Sequence, residues 1–123
     1  MTTPSMQVRL NDEVLYSSDG KWLYPLFDLE DYLKNHPDLL RKATIWDKVI
    51  GKAAALLILR MGGNRVHGVV MSELAADTLE NAGVAYSFDT LVPQIDCQTE
   101  DLLKDVVDPD EAYLMLCKRA KRC

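Results

Sequence analysis

Asp47-Lys48-Val49-Ile50-Gly51-Lys52-Ala53-Ala54-Ala55-Leu56-Leu57-Ile58-Leu59-Arg60-Met61 is the stretch on which the fold turns. It predicts a helix over 47–61, with Asp47 as N-cap and Gly62-Gly63-Asn64 as the stop. The second half is apolar nearly all round, which marks a central, buried helix rather than a surface one. Val66 to Met71 follows as a short β-rich run and reads as a buried strand. Ser72 to Gly83 then reads as a helix with Ser72 as N-cap and Gly83 as stop, and Val84 to Phe88 as another strand. A strand, a crossover helix and a strand over 66–88 imply parallel pairing.

Upstream, Val8 and Leu10 alternate with polar residues, as do Val14 and Tyr16, and Asn11-Asp12 between them reads as a tight hairpin turn. Residues 25–35 form an amphipathic helix with Pro25 at its first position and Leu26, Leu29 and Leu33 on one face. His36-Pro37 breaks it. Downstream, Leu91 to Ile95 is extended, and Asp101 to Val107 reads as a helical turn. Asp108-Pro109 opens a last helix that runs to about Arg119. The order β-β-α-α-β-α-β-(β)-α gives the α/β class, and a three-layer α/β/α sandwich on a mixed sheet is its natural packing. The chain is a single domain over 1–123, with 1–5 and 120–123 read as frayed.

The 123 residues are 48% apolar and 27% charged, an ordinary globular composition. Net charge is −5, but residues 36–66 carry six basic and two acidic groups, whereas residues 67–117 carry one and eleven. An acidic whole argues against polymeric nucleic acid, because phosphate neutralisation needs clustered cations. A basic middle segment keeps a small anionic ligand in view. No apolar run is long enough for a membrane span, and the N-terminus has no signal-peptide pattern. Cys97, Cys117 and Cys123 are odd in number and unpaired by spacing, which suits free thiols in the cytoplasm.

Lys48 and Lys52, four apart, fall on one face at the start of the expected 47–61 helix, and Gly51 between them permits close approach to the backbone. A helix start with two ammonium groups is an anion site; the alternative is that the lysines lie in water and Gly51 serves packing. A Walker A loop is excluded, because Trp46 stands where the first glycine belongs and Ala53 replaces the magnesium-binding hydroxyl. Cys97 and Glu100, in Asp96-Cys97-Gln98-Thr99-Glu100, form a second candidate, in which a helix start lowers a thiol pKa. Here the alternative is a small buried cysteine. His36 and His67 are the only histidines and match no zinc spacing, so no metal and no cofactor are implied. The basic tail, Cys117 to Cys123, suits a helix C-terminus.

Together, IWDKVIGKAAALL, HGVVMSELAADTLENAGVAYSFDTLVP, the Cys97–Glu100 string and DPDEAY resemble the domain-of-unknown-function family numbered 1893, from about Gln7 to Leu116. That resemblance implies a cytidine-deaminase-like α/β/α fold. It implies a site at Asp47, Lys48, Gly51, Lys52, Cys97 and Glu100, with Pro and Met of the family's C-P-M-E string replaced by Gln98 and Thr99. The deaminase H-x-E and P-C-x-x-C ligands are absent, so zinc-activated water is not implied. Three functions follow as expectations. The first is a cleft for an anionic, nucleotide-like ligand, in which Lys48 and Lys52 hold the negative group and Asp47 and Glu100 orient polar ones. The second is a non-enzymatic regulatory or interaction module, a possible homo-oligomer. The third is a thiol-dependent enzyme using Cys97.

Overall fold

The computed structural model describes residues 5–95 and 98–121. Met6–Leu10 (β1) and Glu13–Ser18 (β2) form the hairpin, turning on Asn11, whose φ of 56° is the left-handed backbone that asparagine tolerates. Register shifts between Val8 and Arg9, so β2 carries a bulge at Leu15. The remaining elements are α1 (Tyr24–Leu33), β3 (Thr44–Ile50), α2 (Lys52–Arg60), β4 (Arg65–Ser72), α3 (Glu73–Asn81), β5 (Ala85–Val92), α4 (Gln98–Leu102) and α5 (Pro109–Ala120).

The five strands lie in the order β2-β1-β3-β4-β5. β1 is antiparallel to β2 and to β3, and β3, β4 and β5 are parallel. This is the α/β class on a mixed sheet. The layering differs from the expected sandwich. From β2 over β1 to β3, then to β4 and β5, the chain adds strands in one direction only. Right-handed crossovers then place α1, α2 and α3 on the same face. Contacts agree: α1, α3, α4 and α5 all pack against α2. The expected central helix is therefore real, buried along Ala53 to Ile58 between sheet and helices. Leu56, Leu57 and Ile58 each contribute about 1.5–3 kcal/mol by leaving water. The other sheet face carries the half-buried Gln7, Arg9, Trp46 and His67.

The start of that helix is the main correction. Residues 44–50 are a strand, Gly51 is the N-cap, and α2 begins at Lys52. Thr44-Ile45-Trp46 and Val49-Ile50 are β-branched and aromatic, and β1 pairs with Thr44 to Asp47 on one side while β4 pairs with Ile45 to Ile50 on the other. Asp47 is therefore a mid-strand residue and not a cap. The two expected strands at 84–88 and 91–95 are one strand, β5, and the expected turn at 101–107 is displaced to α4. Other boundaries stand: Ser72 Oγ accepts from the Ala75 amide at 3.1 Å, and Asp108 caps α5. Cys117 is buried and disulfide-bonded, so the free-thiol argument for a cytoplasmic place fails at this residue. No helix among the described residues is long and apolar enough to cross a membrane.

Candidate functional site

The strand-to-helix junction at Gly51 divides the expected site in two. Lys52 opens α2 with its amide donating to Glu100 Oε2 at 2.6 Å and its ammonium donating to the Lys104 carbonyl at 2.6 Å. Glu100, on α4, is only 2% exposed. Its Oε2 takes the amide that a bound anion would otherwise take at a helix N-terminus, and its Oε1 is buried with no hydrogen-bond partner. Gly51 makes room for this: a Cβ would stand 2.8 Å from Glu100 Oε2 and 3.0 Å from Ile95 Cγ1. Lys52 is 7% exposed and borders a separate hollow with Thr78, Val106 and Pro109. It does not share a face with Lys48, because the helical spacing that would align them is broken by the strand.

Before the junction, β3 ends at the rim of a cleft of about 430 Å3, lined by Lys21, Trp22, Asp47, Lys48, Gly51 and Ile95 among others. The cleft lies at the C-terminal end of a parallel strand beside a helix start, the usual ligand position in open α/β sheets. Asp47 pairs in register with Met6 and Gly68, both buried. Burial pushes its carboxyl up from 3.8 to about 7, against the opposing pull of the Val49 and Lys48 amides. No ion pair with Asp47 occurs among the described residues. Lys48 and Lys21 are exposed at the rim.

Trp22 is the residue that the sequence did not offer. It is exposed, meets the Tyr24 ring edge-on at 5.4 Å, and has a φ of 57°. Left-handed backbone is strained for a bulky side chain, by about 1–3 kcal/mol, and such strain gathers at functional sites. The only sequence signal was Asp19-Gly20 before it, which announces a turn but not its handedness.

Of the expected residues, Asp47, Lys48 and Gly51 therefore meet at the cleft, Glu100 and Lys52 secure the helix behind it, and Cys97 falls outside the described residues. Among the described residues no group of three or more His, Cys, Asp or Glu is placed to hold a metal ion.

No curated protein matches the chain. A crystal structure of a DUF1893 family protein, TM1506 from Thermotoga maritima, is similar in fold, with TM-score 0.83 and 24% identity over 94% of this chain and 80% of that one. The family model described as TM1506, domain of unknown function (DUF1893), matches residues 2–119. The chain belongs to the DUF1893 family of unknown function.

Proposed function

We propose that the cleft at the end of β3 binds a small anionic, nucleotide-like ligand without zinc chemistry. The observation that carries this is Asp47, a half-buried carboxyl raised to about 7 with no ion-pair partner among the described residues. A group so placed in a concave site is a functional candidate, because only the Val49 and Lys48 amides, and no cation among the described residues, oppose its burial. Protonated, it donates to a ring nitrogen or carbonyl; ionised, it accepts from an amino group. Trp22 offers a planar face for a base or similar ring, and Lys21 and Lys48 offer positive charge for a phosphate. The kinship with cytidine-deaminase-like domains belongs to this proposal and rests on the resemblance and on a hairpin followed by parallel βα units. Glu100 acts here as a support for α2.

The test is a titration of nucleoside monophosphates followed by Trp22 emission in a Trp46→Phe background, with thermal shifts in parallel. One or more should bind with a change in Trp22 emission, and Asp47→Asn should alter which base is preferred. If every monophosphate at millimolar concentration leaves both readouts unmoved, the reading is wrong.

A further inference from the structure

The sheet face turned away from α2 holds a second concavity, unconnected with the cleft. It is an open bowl of about 860 Å3 whose walls include Arg9, Arg41, Lys42, Trp46, Arg65 and His67, with no acidic residue among its lining. Strand register builds it. Gln7, Trp46, His67 and Ser87 lie opposite one another in a single row across β1, β3, β4 and β5. Arg9 and Thr44 form the next pair, and Arg65 lies two residues before His67 on the same face. Parallel strands are ordinarily covered on both faces. Here the one-directional strand order leaves this face without that cover and loads it with cations.

The pairing of the charges separates structural cations from the rest. Arg41 meets Asp38 at 3.8 Å with both side chains exposed, a contact of little energy. His67 is held by Ser87 Oγ at 2.7 Å and Asp89 at 3.3 Å, which fixes its ring in the row. Arg9, Lys42 and Arg65 form no ion pair among the described residues. Arg9 is nonetheless ordered: its guanidinium lies 4.5 Å from the Trp46 ring centroid, and its Nε donates to Gln7 Oε1 at 2.6 Å. A guanidinium stacked on an indole with one N–H engaged keeps its other donors directed and available. An oriented arginine and two unpaired cations around a concavity match several adjacent anionic oxygens better than one.

We propose that this bowl binds a compact polyphosphate group, as carried by inorganic tripolyphosphate or a nucleoside triphosphate. A polymeric strand is disfavoured, because one aromatic residue gives no stacking track and the chain's −5 charge repels a polyanion beyond the bowl.

Trp22 and Trp46 are the only tryptophans, so a Trp22→Phe protein reports on the bowl through Trp46 alone. Tripolyphosphate should bind it saturably with a change in Trp46 emission, and more tightly than inorganic phosphate. Arg65→Gln and Lys42→Gln, both at exposed positions, should each weaken binding about fivefold, the equivalent of one charge-assisted contact. Lys118→Gln on α5 carries the same charge change and should leave binding intact. A nucleoside triphosphate that binds no more tightly than tripolyphosphate shows that the phosphates are the recognised part. The proposal fails if tripolyphosphate leaves Trp46 emission unchanged, if Arg65→Gln and Lys118→Gln behave alike, or if only a single-stranded oligonucleotide binds.

Discussion

Asp47 and Glu100 are both carboxyl groups near the start of α2, and the fold treats them oppositely. Glu100 is the more deeply buried, yet its Oε2 accepts the Lys52 amide at a helix start, where the backbone field favours an anion. Asp47 keeps some contact with solvent, and burial pushes its carboxyl up to about 7: its neighbours in register are apolar or small, and no ion pair with it occurs among the described residues. Burial alone does not tell a structural carboxyl from a functional one; the donors that face it do. Behind Gly51 the Lys52 amide and ammonium and Glu100 Oε2 are paired inside the fold, with Glu100 Oε1 buried and without a hydrogen-bond partner, whereas in front of Gly51 neither Asp47 nor Lys48 forms an ion pair among the described residues.

The largest effect should come from Gly51→Ala, which tests the closed side. Its φ of −100° suits alanine, so the cost is steric. The new Cβ collides with Ile95 and with Glu100 Oε2, displacing the carboxyl that caps α2. Overpacking and a lost cap together give about 3 kcal/mol of destabilisation in urea unfolding. A variant as stable as the parent would mean that Glu100 does not hold α2.

Asp47→Asn tests the open side and should have the opposite sign. The folded-state pKa of Asp47 lies above its unfolded value, so ionisation disfavours the fold. Stability is greatest below about pH 4, falls as pH rises from 3.8 towards 7, and is level beyond. At about 1.4 kcal/mol per pH unit the full span is about 4 kcal/mol, and the solvent that still reaches this partly buried group reduces it to about half. Asp47→Asn should thus gain about 2 kcal/mol at pH 8 and nothing at pH 4. A pH-stability curve that keeps its slope in the variant would assign that slope to another group. A wild-type residue that lowers stability is the signature of retention for use rather than for folding.

Much of this architecture was legible in the sequence because its signals are local. Ser72 and Asp108 as caps, Asn11-Asp12 as a turn and the all-round apolar run of 53–58 each declare themselves within a few residues. The junction at 47–51 reads as helix in sequence because Asp47 mimics a cap and Lys48 and Lys52 mimic helical spacing. The competing signal, Thr44-Ile45-Trp46 with Val49-Ile50, belongs to a strand whose stability comes from ladders with β1 and β4. The spatial arrangement of the candidate residues was not legible. Trp22 reaches the cleft through a left-handed turn, and Arg9 meets Trp46 and comes to line one bowl with Arg65 only after three strands pair. The one-sided helix layer likewise depends on strand order, which no single stretch encodes.

The smallest effects come from the two lysines, and they sharpen the comparison most because the chemical change is identical. Lys52→Met keeps the buried stem but removes the donor to the Lys104 carbonyl, at a cost of about 1–2 kcal/mol. Lys48→Met removes an exposed cation with no ion pair among the described residues, and stability should move by no more than about 0.5 kcal/mol. Binding in the cleft should rank them in reverse. Lys48→Met should weaken a nucleoside monophosphate about tenfold, or about 1.4 kcal/mol, whereas Lys52→Met should leave the affinity of the folded protein unchanged. Both variants lose one positive charge, so the general field of the protein cancels between them. What remains is position: one ammonium is spent on a carbonyl behind the helix and the other faces the cleft rim. Equal losses of affinity would show that only overall charge matters to the ligand. A loss confined to Lys52→Met would return the binding site to the helix start, where Glu100 already stands.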